Sequence, residues 1–213
     1  MRRRLCFALV PLVLAADAGA QIIRPGMRFS EPQVWVSFGV ARQSTFEVHD
    51  GTTSSSWQFS DAVQYAASLE KTLSGGTTLG VRGTRARVPL TYFGATGGGI
   101  DADADVSQIM GVLHVASGRE FHSVLELSAG ATIFSNFRSR STDVGLEPTS
   151  SDADFTFAFG YGFGYNFSPT FAIDVVQDMS TSLHQKTGLI AGEGTNNRFN
   201  STRIVGRFGL GTR

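Results

Sequence analysis

Residues 155–167 read Phe-Thr-Phe-Ala-Phe-Gly-Tyr-Gly-Phe-Gly-Tyr-Asn-Phe, and this stretch decides the fold. Phe155, Phe157, Phe159, Tyr161, Phe163, Tyr165 and Phe167 take every odd position, with Thr156, Ala158, Gly160, Gly162, Gly164 and Asn166 between them. Successive side chains of an extended chain point to opposite faces, so a period of two puts seven rings on one face and small groups on the other. A helix would scatter the rings around its axis. At about 3.3 Å per residue the strand is roughly 40 Å long, well beyond the usual globular strand.

The alternation recurs along the chain. Val34, Val36, Phe38 and Val40 alternate with smaller or polar neighbours, as do Trp57, Phe59, Val63, Tyr65, Ala67 and Leu69. Leu125 to Ile133, Phe171 to Met179 and Ile204 to Leu210 repeat it, and 77–92 and 102–116 are strand-like but less regular. The total is eight long strands. Tight turns of Gly, Ser and Pro fall at 73–76, 117–120 and 168–170. Longer links rich in Ser, Thr, Gly and Asp fall at 44–56, 94–101, 136–152 and 184–197. Long and short links alternate, so an up-and-down meander gathers the short turns at one end and the long loops at the other. A soluble sandwich has no reason to sort its loops this way.

Composition agrees with that reading. Only 17% of residues are charged, against roughly a quarter in soluble globules. Eighteen Lys and Arg balance eighteen Asp and Glu, so no field calls for nucleic acid. A single cysteine, Cys6, excludes zinc fingers and disulfide scaffolds. At the N-terminus Arg2, Arg3 and Arg4 precede an apolar run from Leu5 to Ala16, and Ala18-Gly19-Ala20 follows. This is the layout of a secretory signal peptide over 1–20. The expected division continues with a periplasmic segment over 21–32 and a barrel domain over 33–213.

With its signal peptide and eight alternating strands, the chain resembles the small eight-stranded outer-membrane β-barrels of Gram-negative bacteria, of the OmpA membrane-domain and OmpX type. The resemblance implies an all-β, antiparallel, up-and-down transmembrane β-barrel, with outer-membrane lipid and lipopolysaccharide around it. It also implies the outer-membrane assembly machinery as a partner, which commonly reads a terminal aromatic; here the last aromatic is Phe208. In such a barrel the apolar face points outward, since strands can span lipid only when closed into a ring. Aromatic girdles are then expected at both rims. Phe121, Tyr165, Phe167, Phe171 and Phe208 fall toward the short turns. Trp57, Phe59, Tyr92, Phe93, Phe137 and Phe155 fall toward the loops. Asp61 and Gln177 interrupt the outward face, which places Asp61 at the loop-side rim or at a bulge.

The inward face carries the candidate site. Its charges are Glu70, Glu126, Asp174 and Asp178 against Arg82, Arg203 and Arg207. One antiparallel register sets Asp174 opposite Arg207 and Asp178 opposite Arg203, predicting cross-strand ion pairs. The alternative is a hydrated lumen with loosely solvated charges. Eight strands enclose little more than their own side chains, so no open pore is expected. Gly160, Gly162 and Gly164 leave room for a narrow water-filled cavity beside Glu126. Arg85 and Arg87, toward the loops, are candidate contacts for lipopolysaccharide phosphates.

No metal or cofactor is expected. Asp101, Asp103 and Asp105 begin like a calcium loop, but Val106 and Val112 stand where its glycine and twelfth ligand belong, so the three read as solvated loop carboxylates. Nor is an enzyme expected. His122 and Ser123 are adjacent and point to opposite faces, while His49 and His184 lie in long loops at no recognisable spacing from a serine. The reading favoured is an envelope-stabilising or surface-interaction protein that offers four external loops, 136–152 among them, to an external ligand. A narrow channel for small solutes and a lipid-A-modifying enzyme stay open as alternatives.

Overall fold

The computed structural model describes residues 32–50, 53–94, 97–148, 153–184 and 196–212. The expected signal peptide, all but the last residue of the 21–32 segment, and 185–195 of the last loop lie outside them. The strands are β1 (Pro32–Gln43), β2 (Phe46–Asp50), β3 (Ser55–Phe59), β4 (Ala62–Ser74), β5 (Thr77–Phe93), β6 (Gly99–Gly118), β7 (Phe121–Ser139), β8 (Ala153–Ser168), β9 (Phe171–Leu183) and β10 (Asn196–Thr212).

Strands β1 and β4 to β10 close a ring of eight, each antiparallel to its neighbours. Closure runs through β1 and β10, where Val36 faces Phe208. A closed ring leaves no unpaired edge, the condition for crossing lipid with strands. β2 and β3 form a hairpin that extends β1 and β4 upward, and β3 pairs with β5. The expected 44–56 loop is therefore mostly strand. Likewise β5 and β6 run to Phe93 and from Gly99, and β7 continues to Ser139, so 94–101 and 136–152 are shorter loops than their composition suggests. Short turns join β4 to β5, β6 to β7 and β8 to β9 at one end, where Pro32 also faces Thr212. Gly75 and Gly76 turn the first of these at φ values of 54° and 78°, a conformation that glycine adopts without strain.

The lower outer wall is apolar. Phe38, Tyr65, Leu69, Val81, Ile109, Leu127, Val175, Ile204 and Phe208 are all exposed, and every ring of the 155–167 stretch points outward. This is the lipid-facing band of a membrane barrel. Gln177, which interrupts the band, accepts a hydrogen bond from Thr202 at 2.6 Å.

Above the band the polarity of the wall reverses, and here several sequence expectations need correction. Trp57, Phe59, Tyr92 and Phe137 point inward and are buried rather than forming an outer girdle. The cause is a change of parity. Between the pairs Phe59–Leu90 and Tyr65–Arg85, β3 and β4 carry one residue more than β5. The bulge lies at Ser60–Asp61, so odd positions face inward in β3 and outward in β4. The break at Ser44–Thr45 does the same between β1 and β2. In β7 the extra residue lies at Asn136, whose φ of 55° is left-handed, and it turns Phe137 inward. β5 and β6 need no bulge because their sequence changes instead. Outward Leu79 and Val81 give way to Arg85 and Arg87, while inward Arg82 and Thr84 give way to Val88 and Leu90. The upper wall thus obeys the rule of a water-soluble barrel and the lower wall that of a membrane barrel.

Candidate functional site

The lumen is built in layers. Nearest the short turns is an ionic layer in which Glu70, Arg82, His114, His122, Glu126, Asp174, Asp178, Arg203 and Arg207 are all buried. Glu126 on β7 is its hub. One oxygen meets Arg82 Nη1 at 2.6 Å and Arg203 Nη2 at 2.5 Å, and the other meets His114 Nδ1 at 3.0 Å. Arg203 Nε also reaches Asp178 at 2.9 Å. Glu70 accepts from Arg207 Nη2 at 2.7 Å, Thr78 at 2.5 Å and Ser68 at 2.7 Å. Arg207 further contacts His114 Nε2 and lies 5.0 Å from the Trp35 ring centroid.

The register between β9 and β10 differs from the expected one by two residues. Asp174 faces Val205 and Asp178 faces Ser201. Arginine is long enough to reach diagonally, so Arg203 still meets Asp178. Arg207 lies 3.7 Å from Asp174 but closer to Glu70, and the nearer partner of Asp174 is His122 at 2.9 Å. The expected cavity beside Glu126 is filled. A Cβ on Gly160 would meet Asp178 Oδ1 at 2.7 Å and Glu126 Cβ at 3.2 Å, and one on Gly164 would strike both Asp174 and His122. Gly160 and Gly164 of β8 make room for the ionic layer itself, while Gly162 lies against the backbone of β9 at Val175.

Above it, hydroxyls and amides form a hydrogen-bonded belt across five strands. Gln64 donates to Thr84 at 3.0 Å, Thr84 to Gln108 at 3.2 Å and Gln108 to Thr132 at 3.0 Å, while Thr132 pairs with Thr156 at 2.7 Å. The top layer is aromatic. Phe46 stacks on Phe59 at 4.4 Å, Trp57 packs on Phe137 at 4.5 Å, and Phe134 lies 5.6 Å from Phe59. Val48, Val88, Leu90 and Phe199 fill the gaps. Trp57 Nε1 donates to Ser55 at 2.8 Å, so the buried indole is satisfied.

No family model and no curated protein sequence matches the chain. Solved structures do. Neisserial surface protein A aligns with a TM-score of 0.53 at 10% identity, over 84% of this chain and 97% of that chain. The fold is that of the small outer-membrane β-barrels. Ail of Yersinia pestis aligns at 16% identity and a TM-score of 0.42, covering 84% of this chain and 99% of that one. The N-terminal β-barrel domain of OprF from Pseudomonas aeruginosa aligns at 11% and 0.45, covering 84% and 100%.

On the outer rim of this outer-membrane barrel fold, above the apolar band, Arg85 and Arg87 share Asp105 at 3.3 Å and 3.2 Å. Burial works against the Asp105 charge. Hydrogen bonds from Asn136 and Arg87, with the Arg87 and Arg85 charges, outweigh it and hold the carboxyl below its ordinary range. Asp103 accepts from Arg140 at 2.6 Å. These carboxylates belong to β6 and are paired, rather than loosely solvated in a loop. Asp61 sits at its bulge with Arg42 at 2.8 Å. The remaining histidines of the sequence reading separate. His49 lies on β2, 3.4 Å from Glu47. His184 is buried against Trp57 and meets Asp154 at 2.7 Å. Ser182 lies two residues from it, on the same face, yet neither its hydroxyl nor His184 Nε2 makes a hydrogen bond. The nucleophile–base contact that acyl transfer requires is therefore not made there.

Sequence reasoning missed the roles of His114, His122 and the Phe134–Trp57 cluster. A usable signal existed for the histidines, since both fall on the inward parity of their strands.

Proposed function

We propose that the protein is an integral outer-membrane barrel that stabilises the envelope and presents its four loops to an external ligand, without conducting solutes. One observation carries this reading: the lumen is occupied over its length, by the ionic layer below and the aromatic layer above. A diffusing solute would have to displace either charge pairs that stay buried or rings packed at 4.4–6.4 Å. The apolar band supports placement in the outer membrane. Arg85 and Arg87 at its upper rim support contact with lipopolysaccharide phosphates, and assembly through the outer-membrane machinery follows from the same placement. Planar-bilayer recording of the refolded protein tests the reading. Silence is the expected result, and reproducible single-channel steps would replace the anchor with the narrow channel. Unchanged lipid-A mass after incubation is expected as well; loss or gain of an acyl chain would make it an enzyme.

A further inference from the structure

The lipid-facing band is not uniform. On the outer surface of β1, β4, β5 and β6 one cross-strand row reads Phe38, Ala67, Gly83, Ile109. Two large side chains flank two small ones. Phe38 and Ile109 are each 60% exposed and stand as walls, while Ala67 and Gly83 form a floor. Tyr65, Val40 and Ile204 complete a groove of about 820 Å³ whose lining is mostly apolar. The rows above and below carry Tyr65 with Arg85, and Leu69 with Val81, so the depression is local to this position.

Charge stands directly over it. Arg85 lies two residues above Gly83 on the same face, about 7 Å up the strand. Arg42 faces Val63 on the other side of β4, one step above the Val40–Tyr65 pair. The two side chains are 77% and 74% exposed, for Arg42 and Arg85 respectively. With Arg87 they set three guanidinium groups against the two carboxylates Asp61 and Asp105, leaving an excess of positive charge. Asp61 holds Arg42, and Asp105 holds both Arg85 and Arg87, without covering the guanidinium groups.

We propose that this groove seats an acyl chain of lipopolysaccharide, with a phosphate of the same molecule held by Arg42 and Arg85. The inference rests on the outer-membrane reading above and deepens its lipopolysaccharide contact. An apolar cleft in the upper part of the band, capped by cations at the loop-side rim, matches an anionic, multiply acylated lipid of the outer leaflet. A neutral lipid would leave the arginines unused. A second copy of this chain would bring the same cations against one another.

Native mass spectrometry of the refolded full barrel tests this, after incubation with phosphorylated lipid A, dephosphorylated lipid A or phosphatidylglycerol. Gly83→Phe fills the groove, and a Cβ there meets only Gln108 O at 4.0 Å, so the side chain has room. Ala67→Leu is the second filling variant, and unaltered mobility on unboiled gels certifies each barrel. Wild type should retain phosphorylated lipid A, with about tenfold less retained by either filling variant and by Arg42→Gln/Arg85→Gln. Dephosphorylated lipid A should bind weakly and respond only to the filling variants. Equal retention by wild type and both filling variants overturns the proposal, as does equal retention of phosphatidylglycerol. A dimer peak abolished by Gly83→Phe would overturn it in favour of a second copy. Loss confined to Arg87→Gln would remove lipid from the groove yet keep lipopolysaccharide at the rim. Channel activity in the bilayer experiment bears on the anchor reading alone.

Discussion

Replacing Glu126 by Gln is the sharpest test of whether the lumen is a fixed ionic layer or a hydrated space. The amide keeps the volume of the carboxylate and one acceptor oxygen but removes the charge. It also aims an NH2 or a weaker acceptor at three donors, Arg82, Arg203 and His114. Arg203 retains Asp178 at 2.9 Å, so its loss is partial. Arg82 makes no other side-chain ion pair among the described residues and is left as a buried, uncompensated charge. Breaking a buried pair in this way costs about 3–5 kcal/mol. The expectation is therefore about 4 kcal/mol of lost stability for Glu126→Gln, concentrated on Arg82. Glu126→Gln/Arg82→Met removes the stranded charge and should recover at least half of that. Urea unfolding in lipid vesicles, followed by the fluorescence of Trp35 and Trp57, measures both variants; these are the only two tryptophans. A loss below about 1 kcal/mol, or a double variant no more stable than the single one, would refute the reasoning. Either result would mean that water already solvates these charges.

Asn136 holds a left-handed conformation at the β7 bulge. Asn136→Val should cost about 1–2 kcal/mol for the misplaced β-branched side chain, and Asn136→Gly clearly less; equal urea midpoints would remove the bulge from the account. Asp105 has a depressed pKa, so its contribution is complete above the unfolded value and is lost as pH falls through the lower folded value. The stability gap between wild type and Asp105→Asn should hold from neutral pH to the ordinary aspartate range, then close below it. A gap that closes well above that range would break the link to Arg85 and Arg87.

Much of the architecture is legible in the amino-acid pattern alone. The seven rings of β8 all face outward because one uninterrupted strand needs only a period of two. Loop rhythm located the short-turn end for the same local reason. What alternation does not carry is the sign of the face. Trp57, Phe59, Val63 and Tyr65 are all odd, and a single series through them looks continuous. A charged Asp61 in that series was the trace of the bulge that turns Trp57 in and Tyr65 out. The lumen charges were visible as a set, because each lies on an inward parity. The Arg203–Asp178 pair was legible with them, whereas the nearer partner of Arg207 was not, because Glu70 lies on β4, beyond the neighbouring strand β1. Asp-Ala-Asp-Ala-Asp at 101–105 reads as loop carboxylates because it has turn composition. On β6 its alanines face an apolar interior and its carboxylates face water or arginine, which makes it a good strand for the upper wall.

The reversal of the wall also sets a height. From Asp105 to Gly99 β6 climbs beyond the apolar band by six residues, roughly 15 Å at the usual strand rise and tilt. Because this portion is dry inside and wet outside, it is a stiff stalk standing in its own solvent. The links at its top are thereby held that far above the apolar band. A shorter barrel would hold the same links level with that band.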